Sequence, residues 1–299
     1  MNYGRHIIIK WSELYFKKSL KNIQNLNEIH VLDIGCGHGE DLKNIRNASE
    51  KVSDLEGRNF KIFLHGIENY RPYLEECMAG DIDVHSVDIE HGSYPFAEGS
   101  MDIIVANQVL EHTKEIFWIF SEVSRLLKPG GYFIIGVPNL ASLHNRILLF
   151  FGLQPTAQKS LSAHVRTFTK GDLKEFGENG GYFSFKFSAG SNFYPFPPLL
   201  SKPLSRIFPS LAWGLFVCLE KTDRGIDFLD CLYDGEVLET PFYGGPQNPQ
   251  VLNLKSRPRI LKKQNAKSRT DSKSKTKTSE KITSKSPVKL KRKSKSDKK

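Results

Sequence analysis

The 299-residue sequence predicts an α/β fold on a doubly wound, mostly parallel sheet. Two observations predict it. Short apolar runs at 29–34, 60–67, 84–87, 102–106 and 132–137 alternate with helical stretches, and the first run leads into a turn with glycine at every second position. Alternation of this kind implies βαβ units with right-handed crossovers. The composition, 39% hydrophobic and 25% charged, is that of a globular chain with enough residues for a sizeable core.

In chain order, residues 1–28 read as a short helical cap carrying Trp11, Leu14, Tyr15 and Leu20. Strand 29–34 is followed by the glycine turn and a helix from about Asp41. The polar stretch 48–59 reads as a long connection to strand 60–67. A helix at 70–79 and a short strand at 84–87 come next. Between Thr113 and Leu127 the apolar positions Ile116, Ile119, Phe120, Val123, Leu126 and Leu127 follow helical spacing. Thr113 is its expected N-cap, and Lys128-Pro129-Gly130-Gly131 its stop. The run at 132–137 is apolar throughout, as a central parallel strand should be. Beyond Pro138, helices are expected at 141–151 and 170–178, and an antiparallel hairpin at about 181–189 and 211–219. Residues 193–209, rich in Phe and Pro, read as irregular, and Trp213 as core.

The formal charge of +10 divides unevenly. From Lys255 onward there are 19 Lys or Arg against 3 Asp or Glu, so the rest of the chain is net acidic. This Lys/Ser tail, 255–299, has too few apolar residues to offset its ordering entropy and is expected to be disordered. Residues 221–254 give weak signals and read as a C-terminal extension. Cys36, Cys77, Cys218 and Cys231 form no CxxC pair, which argues against a zinc centre or disulfide scaffold. No secretory h-region or membrane-length apolar run is apparent, so a cytoplasmic location is expected.

The sharpest motif is Val31-Leu32-Asp33-Ile34-Gly35-Cys36-Gly37-His38-Gly39. An acid at a strand end precedes a glycine turn and a helix N-terminus, where backbone N–H groups can approach a ligand. A dinucleotide turn would place glycine where Glu40 stands. Three further segments follow in order: Gly66-Ile67-Glu68, Val87-Asp88-Ile89, and Asn107-Gln108-Val109-Leu110-Glu111-His112 ahead of Lys128-Pro129-Gly130-Gly131. Together they resemble the class I S-adenosylmethionine-dependent methyltransferases, over about 29–139 in register and more loosely to 220.

The resemblance implies a Rossmann-like seven-stranded sheet, a methyltransferase domain over 29–220, and S-adenosyl-L-methionine as cofactor, leaving S-adenosyl-L-homocysteine. Glu68 would accept from the ribose hydroxyls, and Asp88 from the adenine amino group with the Ile89 N–H facing the ring. Gly35 and Gly37 would admit the cofactor, Asp33 would orient its amino-acid end, and Asn107 would lie near the methionine moiety. His112 and His164, the latter in His164-Val165-Arg166-Thr167-Phe168-Thr169, are the candidates for the acceptor side. A locally bonded histidine at His112 and an N-cap role for Thr169 are the alternative readings. His144, Asn145 and Arg146 are weaker candidates for the same wall. Metal-independent transfer to an oxygen of a small molecule, a surface-glycan sugar or a lipid-linked precursor is the expected activity.

Two other functions stay open. The basic tail could dock the enzyme on RNA or protein, or touch nucleic acid or an anionic membrane without specificity. The fold could also serve as a noncatalytic binding module. The apolar segment 193–200 is either a packed loop or a lip that meets lipid.

Overall fold

The computed structural model describes residues 4–229. The expected basic tail, most of the 221–254 extension and Cys231 lie outside the described residues. The elements run α1 (Arg5–Asn22), β1 (Glu28–Ile34), α2 (Glu40–Glu56), β2 (Lys61–Ile67), α3 (Arg71–Ala79), β3 (Asp83–His85), β4 (Met101–Asn107), α4 (Ile116–Leu126), β5 (Leu127–Pro138), α5 (Leu143–Phe150), α6 (Lys170–Glu178), β6 (Phe183–Ser191), α7 (Pro198–Ile207) and β7 (Gly214–Lys221). The seven strands form one sheet in the order β3-β2-β1-β4-β5-β7-β6. The pairings are parallel except where β7 runs antiparallel to both β5 and β6. The expected doubly wound sheet ending in a hairpin is therefore present.

Period-two alternation along the strands divides the core between the two faces. Leu32, Ile34, Ile104, Ala106, Phe133 and Ile135 point into the cluster covered by α4 and α6. Val31, Ile103, Val105, Tyr132 and Ile134 point into the cluster covered by α1 and α2. Phe120 of α4 is the aromatic centre of its face, packed within 4.7–6.0 Å, centroid to centroid, of Phe133, Phe176, Phe183 and Phe228. Phe228 is fully buried, so this core takes in a residue of the stretch beyond the last strand.

Three local expectations are corrected. Residues 48–56 are not a loop but the second half of α2, whose Ala48, Ser49, Val52 and Ser53 are buried. Their small side chains make a weakly apolar stripe that reads as polar sequence until α1 lies across it. Thr113 does not cap α4. Its hydroxyl donates to the Leu110 carbonyl at 3.0 Å, and the helix starts at Ile116. The amides of Lys114 and Glu115 instead donate to Glu90 Oε2 at 2.6 and 2.9 Å. Residues 198–207 are helical although rich in proline. Pro198 sits in the first turn, where an amide hydrogen has no helical partner to lose. The Ser201 hydroxyl accepts from the Phe193 N–H and fastens the helix to the preceding loop.

Asp102, at the start of β4, ties three elements together. It accepts from the Tyr15 hydroxyl of α1 at 3.0 Å, the His30 N–H of β1 at 2.9 Å, and Lys128 Nζ at 2.6 Å. Phe120→Ala should cost about 3–5 kcal/mol of unfolding free energy. Urea denaturation measures it, and a loss below about 1 kcal/mol would show that this face does not pack as described.

Candidate active site

The strand order reverses between β1 and β4, and open α/β sheets bind ligands at the carboxyl ends of the strands at such a point. A cleft of about 500 Å³ opens there. One of its walls is the loop between β1 and α2. Gly35 N–H and Cys36 N–H both donate to the Ile67 carbonyl, at 2.8 and 3.1 Å, pinning the loop to β2. Gly35 has φ +67°, and a Cβ there would stand 2.8 Å from a Val109 methyl. Gly37 has φ +53°, and a Cβ there would meet nothing within 4 Å, so this backbone borders open space.

Glu68 stands directly behind that loop. Its carboxylate accepts from the Gly37 N–H at 2.9 Å and from the Tyr70 N–H at 2.8 Å. The continuous α2 takes up the extra residues between the loop and β2, so the strand is not displaced. Asp33 ends up 3% exposed on the cleft wall. Burial pushes its carboxyl well above the usual carboxylate range, and Asp41 and Glu68 add to this while Arg5 opposes it. Asp41 is also raised by burial, and is offset by the Asn107 amide at 2.8 Å and by Arg5 Nε at 3.3 Å. Asn107 Oδ1 is buried and has no hydrogen-bond partner among the described residues.

Asp88 and Ile89 lie in the loop after β3, outside the cleft lining. Burial disfavours the Asp88 charge, but hydrogen bonds from the Glu90 N–H and His91 outweigh it and hold the carboxyl below its usual value. The Ile89 carbonyl accepts from the Tyr94 hydroxyl at 3.0 Å.

The opposite wall is built from segments far apart in sequence. His112 ends a 3-10 turn, Leu110–His112, and its Nδ1 donates to the Ala163 carbonyl at 3.2 Å. His164 Nδ1 donates to the Ala157 carbonyl at 3.0 Å. The two rings meet edge to face with centroids 4.8 Å apart. Burial lowers the His112 pKa; the Ala163 hydrogen bond opposes the shift and His164 adds to it. The Glu111 main-chain carbonyl accepts from the Val165 and Arg166 amides, clamping the His164 segment to the turn. Burial lifts the Glu111 carboxyl to about 7.

The structure thus brings Asp33, Gly35, Gly37, Asn107, His112 and His164 to one cleft. It does not bring His144, Asn145 or Arg146 there. Asn145 is buried and donates to the Asn139 carbonyl, Arg146 Nε donates to the Ala141 carbonyl, and the His144 ring lies 4.6 Å from that of Tyr194. The expected Thr169 cap is present, its hydroxyl accepting from the Asp172 N–H at 3.2 Å. Arg5, Asp41, Glu111 and Trp213 line the cleft without having been singled out for it. Trp213 is half-buried on the rim rather than core, because the β6–β7 connection carries it to the strand ends. Glu111 stood inside a quoted motif, but nothing local marks it as buried.

Residues 32–135 match the family model described as a methyltransferase domain. This stretch, which holds β1 to β5 and the glycine loop, is thus similar to a methyltransferase domain. The chain is 29% identical over 114 residues to a probable S-adenosylmethionine-dependent methyltransferase of Mycolicibacterium smegmatis, covering 36% of this chain and 38% of that protein. It is 31% identical over 114 residues to a dimethylglycine N-methyltransferase of Parasynechococcus marenigrum, covering 37% and 38%. The chain thus spans under two-fifths of the length of either relative. The DszA carbon methyltransferase superposes with a TM-score of 0.50 at 14% identity, covering 74% of this chain and 54% of that one, which shows the shared fold.

S-adenosylmethionine is the cofactor of this methyltransferase family, and the residues fit it. Its ammonium and sulfonium are cationic, and the cleft presents Asp33 and Asp41 together with an unpaired Asn107 oxygen. The raised Asp33 carboxyl lowers the stability of the unliganded domain as pH rises through its folded value. Asp41, Glu68 and Cys36 face it with like or neutral character, and only Arg5 opposes them. Asp33→Asn should therefore raise the thermal midpoint of the unliganded protein, more at pH 7 than at pH 4. The same change should weaken S-adenosylmethionine at least tenfold, about 1.4 kcal/mol. Scanning calorimetry with and without ligand reads both effects, and an unaltered affinity would remove Asp33 from the site.

Proposed function

We propose that the chain is an S-adenosylmethionine-dependent methyltransferase acting on an oxygen of a small or lipid-linked acceptor. The observation that carries the reading is one cleft with the glycine loop on one wall and the His112–His164 pair on the other. When bound, the cofactor supplies an electrophilic methyl group for in-line displacement. Glu68 and Asp88 hold its ribose and adenine, Ile89 offers its N–H to the ring, and Asp33 and Asn107 orient the amino-acid end. In-line alignment of donor and acceptor is where most of the rate advantage originates.

His112 and His164 face the acceptor. Each gives its Nδ1–H to a main-chain carbonyl, so in the neutral ring the lone pair sits on Nε2. A hydroxyl acceptor suits that arrangement, because it can donate to such a nitrogen as it is attacked.

Exposed apolar side chains on segments 150–161 and 199–200 support an acceptor with a hydrocarbon part. Leu161, three residues before His164, is fully exposed, as is most of Phe150 at 86%. Phe151, Leu153, Leu199 and Leu200 are exposed on the same two segments, α5 with its following turn and α7. The His144–Tyr194 ring contact joins those segments. Among the described residues no helix is long and apolar enough to cross a membrane.

Calorimetric titration with S-adenosylmethionine and S-adenosylhomocysteine, followed by transfer of labelled methyl to candidate acceptors, tests the proposal. Both ligands should bind saturably, and Glu68→Ala should weaken them at least tenfold. His112→Ala and His164→Ala should each lower kcat about 10²-fold with cofactor affinity kept. If neither sulfur ligand binds, the domain is a scaffold without this chemistry.

A further inference from the structure

Glu111, His112 and His164 bring one carboxylate oxygen and two imidazole nitrogens within 4.8 Å of one another. Three features of this cluster exceed what chance neighbours provide. The Glu111 carboxylate is 1% exposed, and neither of its oxygens has a hydrogen-bond partner among the described residues. Its Oε1 lies 3.9 Å from His112 Nε2. A buried carboxylate without a partner is relieved either by taking up a proton or by a bound cation, and the two imidazoles beside this one supply the further ligands a cation needs.

The second feature is the state of the imidazoles. Both Nδ1–H groups are committed to main-chain carbonyls, Ala163 for His112 and Ala157 for His164. This fixes the tautomer that leaves a lone pair on Nε2, the arrangement in which metal-ligating histidines are held. The third is rigidity. The Glu111 carbonyl holds the Val165 and Arg166 amides at 2.8 and 3.2 Å, and Arg166 donates to the Lys114 carbonyl at 2.7 Å. A segment 52 residues away in sequence is thereby locked against the turn that carries Glu111 and His112.

We propose that Glu111, His112 and His164 form a binding site for a divalent first-row transition-metal ion at the acceptor end of the cleft. Ligand bonds of about 2.1 Å place donor atoms about 3.0–3.4 Å apart, so small side-chain movements close the cluster around an ion. Two imidazoles and one carboxylate select such an ion over calcium or magnesium, which prefer all-oxygen shells. Three protein ligands leave coordination positions open toward the cleft. This departs from the metal-independent chemistry expected from the family resemblance.

The use of the ion rests on the methyl-transfer reading; its binding does not. With an ion bound, the Nε2 lone pairs would be taken up by it, and an acceptor hydroxyl at an open position would lose its proton to solvent rather than to an imidazole. The O–C bond then forms as the C–S bond breaks, and the electron pair stays on sulfur.

The test titrates the EDTA-treated full chain with cobalt(II) chloride, read by calorimetry and by visible d–d absorption. The expected result is one equivalent of saturable binding with a nitrogen-containing, low-coordinate Co²⁺ spectrum. Glu111→Gln and His164→Gln should each weaken uptake about tenfold or more, while S-adenosylmethionine binding and the thermal midpoint report that the fold is kept. Absence of saturable binding, or uptake unaltered in both variants, overturns the site. Cobalt binding with no S-adenosylmethionine binding would instead leave the metal site standing and refute the methyl-transfer reading.

Discussion

The pairing of Val31, Leu32 and Asp33 with Ile103, Ile104 and Val105 is the constraint on which the rest of the structure depends. It sets β1 beside β4 although β2 and β3 come between them in the chain. The crossovers on either side of this pair run to opposite faces of the sheet. The turns after β1 and β4 therefore diverge, and the gap between them is the cleft. Asp102 reinforces the pairing at its base through the His30 amide, and joins it to α1 through Tyr15.

The same pairing explains why acids accumulate at one end of the sheet. Asp33 at the end of β1, Glu68 just after β2 and Asp41 in the first turn of α2 converge on the glycine loop. Burial raises the carboxyls of Asp33 and Asp41, and Arg5 opposes the shift at both while the Asn107 amide also opposes it at Asp41.

The two walls of the cleft differ in how they are made. The glycine-loop wall is local: a strand end, a loop of five residues and a helix start. The opposite wall joins the 3-10 turn after β4 to a segment beyond α5, held by main-chain hydrogen bonds to Glu111.

The fold class, the alternation of strands and helices and the glycine turn after β1 were legible in the sequence, because each follows from periodicity and turn chemistry within one strand–turn–helix unit. The second half of α2 and the helix α7 were not. In that half of α2 the buried residues are small, and α7 keeps its helix with one proline in the first turn and another, Pro203, inside it. Tertiary structure alone decided that Trp213 reaches the cleft rim and that Asn145 does not. It alone placed the Glu111 carboxylate, buried and unpartnered, beside two histidines separated by 52 residues. The physical reason is range. Backbone conformation follows local side-chain sterics and periodicity, whereas burial and the meeting of charges depend on which distant segments the sheet brings together.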